Sequence, residues 1–582
     1  MMRLVSSMQR GGLPGFGRLT AIAQRLHHRL QRRSYDYRVW SEWFGTRCVR
    51  VTRRALPSQT HTPLISIRMR VSTAQPRHLR RAVESVLDQR YPYWELCIDV
   101  EATETPAVLT MLARYQARDQ RVFVRRDAVE LTTAITTPAP ADETFIVWLH
   151  QDDALAHASL EQVAQAVSDH PDVQLLYGDE DSLTRFGRRV EPRYKPDWSP
   201  HLLRSHNFIG RPWFIRSDLW QRLSVTPFAG NEDVEYDILL KAAEQVPPEG
   251  LHHIRRVMCH RCLDTRAGET EPRNIARRTA QAQQAVEAHL HRSGLAATVE
   301  PIPDWTGFNR IVYAVDPKPL VSVIIPTRDK VQLLKRCVTG LQEQTDYPAI
   351  ELIILDNGSI EPDTQTYLSA LGGRADVQVL RVDSPFNFSA LCNLGAKAAH
   401  GDILCFLNND MEITHPEWLH ELVSLAVQPE IGAVAPLLRY PDGRIQHLGI
   451  RVDPPWPRLI GDGWREPLSR PEAARMHAVH HVSAANGGCL VTRRDVFAAV
   501  GGFDEALPVA YNDVDFCFAV RKAGLGVVVT PFAELNHELF ASRRDVPKPD
   551  RRRDWQASIR HLQVKWPDQW GNDPYQVVSD RA

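Results

Sequence analysis

The chain resembles itself when shifted by a little less than half its length. PLISI at Pro63 returns as PLVSV at Pro319, and WEL around Glu95 returns as IEL around Glu351, both at an offset of 256 residues. WLHQDD at Trp148 answers FLNND at Phe406, with Asp152 and Asp410 separated by 258 residues. VEYDILLKAAE from Val234 answers NDVDFCFAVRKAG from Asn512, and a histidine follows each, His260 at 25 residues after Glu235 and His537 at 24 after Asp513. A register kept over so long a span requires the two copies to share one fold. Each copy alternates short β-rich runs with helical patterns, as in Val321 to Ile325, Val331 to Gln344 and Glu351 to Leu355. The expected class is therefore α/β, with two tandem, mostly parallel sheets covered by helices.

Between the copies, Asn274 to His291 is rich in Ala, Gln and Arg and helical by propensity, and Pro301, Pro303, Pro317 and Pro319 then punctuate an extended linker. The expected division is an arm at 1–60, a first domain at 61–265, a linker at 266–317, a second domain at 318–545 and a tail at 546–582. Arg543 to Arg553 is basic and broken by proline, and the Trp-containing segment after it is expected to pack back as a helix. A chain of 582 residues has ample length for two cores.

Lys plus Arg and Asp plus Glu each total 70, so charge points to no nucleic-acid partner. The local exception is the amino-terminal arm, where Arg3, Arg10, Arg18, Arg25, Arg29, Arg32 and Arg33 precede the first acidic residue, Asp36. Its apolar stretch at Leu19 to Ala23 is too short for a signal-peptide core, and no run approaches the ~20 residues of a membrane span. A cytoplasmic chain is expected, with the arm either solvated or lying peripherally on an anionic membrane through Leu4, Leu19, Ile22, Leu26 and Leu30. Nine scattered cysteines argue for reduced thiols, and a lone CHRC at Cys259 to Cys262 lacks the second pair that zinc would need.

The chemistry concentrates in the second copy. In GDILCFLNNDMEI, the apolar run Ile403 to Leu407 makes one buried strand, and Asn408, Asn409 and Asp410 follow at its carboxyl end. Ligands of open α/β sheets sit outside such ends, where a carboxylate can hold a hard cation. LIILDNGS likewise ends a strand at Asp356, which either meets a nucleoside or closes an Asx turn. In FNFSALCNLG, Ser389 and Asn393 share a helix face. Capping accounts for Asn387 or Ser389 and leaves Asn393 with no local role. Asp513 and Asp515 open a helical pattern, where the positive end of the helix dipole favours either acid without any chemistry. The pair Gly487-Gly488 in AANGGCL either admits a sugar close to the backbone or makes a plain tight turn.

Taken in order, PTRD at Pro326, LDNGS, FNFSALCNLG, FLNND, PDGRIQHLG at Pro441, GGFDE at Gly501, YNDVDFC at Tyr511 and AELNH at Ala533 resemble glycosyltransferase family 2. The rhamnosyltransferase-like members of O-antigen and capsule synthesis are the nearest match, over Pro319 to about Ser542 and more weakly over Pro63 to about His260. The resemblance implies the GT-A fold. It also implies a nucleotide-diphosphate sugar donor, a saccharide or lipid-linked saccharide acceptor, and a divalent metal, Mg2+ or Mn2+. Carried over residue by residue, Pro326, Thr327, Asp356, Asn393, Asn409, Gly487 and Gly488 bind the donor. Asp410, His537 and Asn408 hold the metal, and Asp513 is the base with Asp515 as its rival. The metal motif of the family usually begins with Asp where this chain has Asn408. In the first copy, Val100 stands where Asp356 does in the second, His150 enters the metal motif, and no FNFSALCN precedes Trp148. That copy is expected to be non-catalytic, though YGDEDS at Tyr177 and YKPDWSP at Tyr194 still resemble the two-domain members.

Three other readings compete. A carbohydrate-binding scaffold without turnover fits Asn408 and the degraded first copy. A sugar nucleotidyltransferase would need a Gly-rich phosphate loop near Pro326, and a dehydrogenase would need a G-x-G-x-x-G after a strand. Neither motif is present.

Overall fold

The computed structural model describes residues 62–101, 104–126, 144–184, 186–223, 232–263, 272–465, 471–538 and 548–576. The basic arm and the membrane contact expected of it lie outside the described residues.

Two sheets repeat one strand order. In the first, Val122–Arg126, Trp94–Val100, Leu64–Val71, Thr144–Trp148, Trp213–Arg216, Leu175–Leu183, Leu251–Cys262 and Ala154–Leu155 lie side by side. In the second, the same places are taken by Val377–Arg381, Ile350–Asp356, Val321–Thr327, Ile403–Leu407, Cys489–Arg493, Ile431–Arg439, Gly526–His537 and Met411–Ile413. The first four strands of each set run parallel, and the fifth is antiparallel to the fourth. Both sheets are thus mixed α/β with a parallel half.

The strand Ile403–Leu407 shows why the sequence folds this way locally. All five residues are buried, because the strand is hydrogen-bonded on both sides, to Val321–Thr327 and to Cys489–Arg493, and covered on both faces. Alternation is therefore absent and every position is apolar. Each large side chain so buried contributes about 1.5–3 kcal/mol. One buried cluster joins the two halves, running from Tyr177, Leu203 and Leu239 through Val286 and Leu290 of the connecting helix to Val323, Ile354 and Val434. Polar contacts add to it, with Ser199 Oγ 2.9 Å from His481 Nδ1 and Arg310 paired to Glu421 at 2.9 Å.

The connecting helix spans Pro272–Arg292. The segment after it differs from the extended linker expected. Ala297–Pro301 and Asn309–Tyr313 form an antiparallel hairpin, because Val299, Ile311 and Tyr313 present one apolar face that packs into the shared core. The final helix, Lys548–Lys565, packs against the second half through Leu562, with Trp566 just beyond its end. The eight described cysteines are free and buried, and Cys259 and Cys262 both lie in the strand Leu251–Cys262.

Candidate active site

The carboxyl ends of the parallel strands in the second sheet bring Thr327, Asp356 and the Asn408 to Asp410 triplet to one edge. Thr327 is the register partner of Asp356, as Pro326 is of Leu355, and Asn409 Nδ2 donates to Thr327 Oγ1 at 2.9 Å. Asp356 is buried. One of its oxygens accepts from the Ser359 N–H at 2.8 Å and closes the Asx turn, while the other accepts from Arg381 at 3.0 Å.

The helix Phe388–Ala398 does a different job from the one expected of it. Asn393 donates to Phe503 O at 2.9 Å and Glu505 Oε1 at 3.1 Å, and accepts from the Phe503 N–H at 3.0 Å. Ser389 Oγ donates to Leu507 O, and Asn387 caps the helix while donating to Glu505 O. These polar side chains clamp the GGFDE loop that leads into Asp513, so Asn393 has a structural role, though not a local one. The loop is far away in sequence, which is why the spacing hid it.

At the other end of the triplet, Asp410 Oδ1 lies 3.3 Å from His537 Nε2, both side chains being buried. The opposite ring nitrogen, His537 Nδ1, is 2.6 Å from Gln446 Oε1, and the Gln446 amide nitrogen faces His537 O. Because a carbonyl oxygen can only accept, Nδ1 carries a proton in this contact, and Nε2 is the ring nitrogen that faces Asp410. A carboxylate oxygen and an imidazole nitrogen so close together are both able to ligate a divalent cation. Asn408 is half-buried beside the pair and donates its backbone N–H to Gly488 O at 2.9 Å.

Gly488 is the joint between these groups. A Cβ there would stand 2.6 Å from Met411 Cε and 2.8 Å from Asn486 Oδ1, side-chain ends that would have to shift, and 3.4 Å from His537 Cε1, so the glycine backbone lies next to the Asp410–His537 pair. Its neighbour Gly487 donates its N–H to Asp513 Oδ2 at 2.9 Å. The other carboxylate oxygen of Asp513 accepts from the Val514 N–H at 2.8 Å. Tyr511, just before the helix Asn512–Lys522, has a φ of 63°, an uncommon conformation for a bulky residue that turns the chain into the helix and aims Asp513.

Asp515 is not brought to this place. It is buried against the final helix, accepting from Trp566 Nε1 at 2.7 Å and paired with Lys565 at 2.9 Å. Asp504, Asp515 and His561 are near enough to one another to suggest a metal site, but Lys565 Nζ sits 2.7 Å from Asp504 and 2.9 Å from Asp515 and already supplies the positive charge.

Two residues with a place in the site were not singled out by sequence. Gln446 sets the tautomer of His537. His447 accepts from the Asn486 N–H at 3.1 Å through Nε2, and Asn486 Oδ1 in turn accepts from the Gly488 N–H at 2.7 Å. Burial holds His447 neutral, its pKa lowered to about 3. Both residues stand in PDGRIQHLG, a motif that served only to mark the resemblance.

The first sheet is altered at the same places. Ala154 pairs with His260 as Glu412 pairs with Asn536, each two residues beyond Asp152 and Asp410. Arg261, not His260, therefore stands where His537 does, and His260 bonds instead to Asp181 at 2.5 Å. Arg216 pairs with Phe145 as Arg493 pairs with Ile403, which puts Arg211 in the place of Gly488. The Arg211 guanidinium spans Asp153 at 3.3 Å and Glu235 at 3.2 Å. Burial raises the pKa of Asp152, against the opposing pull of His150 and His78.

No helix among the described residues is long and apolar enough to cross a membrane. Residues 322–501 match the family model described as glycosyl transferase family 2. Protein y4gI of Sinorhizobium fredii is 35% identical over 524 residues, covering 87% of this chain and 56% of that protein. The O-antigen biosynthesis protein RfbC of Myxococcus xanthus is 33% identical over 530 residues, covering 88% of this chain and 40% of that one. An N-acetylglucosaminyl-diphospho-decaprenol L-rhamnosyltransferase of Mycobacterium tuberculosis is 28% identical over 259 residues, covering 39% of this chain and 78% of that enzyme. This chain spans about half the length of the first two relatives. Residues 322–501 of the chain thus form a glycosyltransferase family 2 domain.

Proposed function

We propose that the carboxyl-terminal half transfers a sugar, with inversion, from a nucleotide-diphosphate donor to a saccharide or lipid-linked saccharide acceptor. The product would be a cell-surface polysaccharide or its precursor, and rhamnose is the sugar suggested by the mycobacterial relative. The observation that carries this reading is the diglycine, where Gly487 holds Asp513 and Gly488 lies against His537. Adjacent glycines thus meet the carboxylate read here as the base and the pair read here as metal ligands, which supports the reading. Thr327, Asp356 and Asn409, with Pro326 beside them, form the donor side of the same edge.

In this reading Asp513 takes the proton of an acceptor hydroxyl as that oxygen bonds to the anomeric carbon, and the bond from that carbon to the diphosphate breaks. One base and in-line attack invert the anomeric centre. The Gly487 and Val514 N–H groups, one on each carboxylate oxygen, aim the Asp513 side chain. Asp410, His537 and Asn408 fit a divalent ion, Mg2+ or Mn2+, whose charge would stabilise the leaving diphosphate. The amino-terminal half is assigned no transfer chemistry, because Arg211 and Arg261 stand where Gly488 and His537 do.

The test is a thermal-shift panel of sugar nucleotides with and without manganese, followed by product analysis with the best ligand. A ligand that binds only the folded chain raises its melting midpoint. A manganese-dependent shift with glycosidic product is expected. A shift without any product would favour a carbohydrate-binding scaffold, and no shift with any sugar nucleotide would overturn the assignment.

A further inference from the structure

The helix Asn512–Lys522 carries Asp513 in its first turn and delivers its last turn to the wall of a cavity of about 650 Å3. Arg521, in that wall, stands eight residues after Asp513, about 12 Å along the helix axis. The cavity is therefore separate from the crevice of Asp410 and Asp513. Three segments enclose it, the YKPDWSP motif of the first half through Trp198, the helix end through Arg521 and Lys522, and the segment after the final helix through Gln569 and Tyr575. The Asp197 N–H donates to Pro574 O at 2.8 Å and ties the first of these to the last. In the sequence YKPDWSP marks only a resemblance, whereas here it supplies an aromatic wall where the two halves meet.

Charge in the lining is balanced, with Arg521, Lys522 and Lys565 against Asp197, Glu430 and Asp568. Much of it is already spent. Asp197 accepts from Arg255 Nε at 2.9 Å, Glu430 lies 3.3 Å from Arg204, and Lys565 pairs with Asp504 at 2.7 Å and Asp515 at 2.9 Å. Nothing in such a wall selects an ion. Two uncharged demands remain, because Arg521 Nη1 and Gln569 Oε1 are buried and make no hydrogen bond among the described residues. Gln569 Nε2 donates to Phe518 O at 2.9 Å, which fixes the amide and leaves Oε1 as the open acceptor. A guanidinium nitrogen can only donate and an amide oxygen can only accept, while a hydroxyl does both. Trp198 and Tyr575 are half-buried and line the same space, and Arg521 Cζ lies 5.9 Å from the centre of the Tyr575 ring. Aromatic faces beside an open donor and an open acceptor, without net charge, suit a ligand built of hydroxyls and C–H faces.

We propose that this cavity is a second binding site, which takes an uncharged saccharide at the junction of the two halves. Its occupation needs neither a metal nor the transfer reaction assigned to the crevice of Asp410 and Asp513.

The full chain, labelled and kept in EDTA, is applied to an array of oligosaccharides that includes uncharged, phosphorylated and uronic acid-bearing chains, and the best-retained one is then titrated by calorimetry. An uncharged chain is expected to be retained best. Once bound, it should slow hydrogen exchange at the amides of residues 521–526 and 569–575. Trp198→Ala should weaken the binding about tenfold and Arg521→Gln about fivefold. Asp410→Ala and Asp513→Asn should leave it unchanged, which separates it from the other crevice. Retention of no saccharide, best retention of a charged one, slowed exchange confined to the Asp410 crevice, or unchanged affinity in a folded Arg521→Gln variant would each overturn the proposal.

Discussion

Gly488 and Arg211 occupy the same position in two sheets of the same strand order, each five residues ahead of the arginine that pairs with the fourth strand. At Gly488 there is no room even for a Cβ, and the backbone lies against Met411 and His537. At Arg211 a whole guanidinium fills the corresponding space between Asp153 and Glu235. One position thus separates a crevice edged by Asp410 and His537 from one edged by arginine.

The pair Asp410 and His537 should account for metal-dependent donor binding. Asp410→Ala removes the one formal negative charge in LNND and should abolish the manganese dependence of donor affinity. Gln446→Leu keeps both ligands but releases the His537 tautomer, and loss of such a supporting hydrogen bond typically costs 10–100-fold in metal affinity. Manganese titrations of the two variants check both expectations. Unchanged affinity in Asp410→Ala would remove the metal assignment.

The two acids of YNDVDFC should separate cleanly. Asp513→Asn keeps shape and loses basicity, so donor affinity should persist while turnover falls by about 10²–10⁴-fold. Asp515→Asn removes one of the two carboxylates that Lys565 pairs with and weakens the acceptor of Trp566 Nε1, so the melting midpoint should fall by a few degrees, on the order of 1 kcal/mol, with turnover retained. Initial rates beside donor titrations and melting curves decide the matter, and near-native turnover in Asp513→Asn would end the base assignment.

Gly488→Ala is expected to cost activity more than its single methyl suggests. The new Cβ must displace the Met411 methyl and the Asn486 amide, a cost of roughly 1–3 kcal/mol for overpacking, and Asn486 is the residue whose Oδ1 holds the Gly488 N–H. A fall in manganese affinity with the overall fold intact by circular dichroism is the expected result. Wild-type affinity in this variant would show that the close approach is dispensable.

Acid should destabilise the chain at a higher pH than its carboxylates alone would set. Burial lowers the pKa of His206 and His447 to about 3 and of His480 to about 4. Below about pH 6.5 the unfolded chain takes up protons that these folded sites refuse until about pH 3–4. Unfolding therefore gains as pH falls through that window, and the stability these histidines contribute is complete only above about pH 6.5. Melting midpoints measured from pH 7.5 to 4.5 should decline steadily, and a flat profile would contradict the buried neutral state.

What the sequence determined by itself was the repeat, the α/β class and the strand-end motifs. These depend on local matters, such as an apolar run of five followed by polar residues, or a β-rich run followed by a helical one, and they persist wherever the chain is placed. The placement of Asp356 and Asp410 at strand ends was legible for that reason. The match of His260 to His537 failed by one residue, because counting along the chain cannot see the β-bulges that shift the pairing of Leu175–Leu183 with Leu251–Cys262. The choice between Asp513 and Asp515 lay equally beyond it, since only the packing of Lys565 and Trp566 shows which carboxylate is spent. Asn393, Gln446 and Arg211 became readable only in the fold, where Phe503, His537 and Glu235 meet them. Their roles are contacts between segments far apart in the chain, and such contacts leave no periodicity to read.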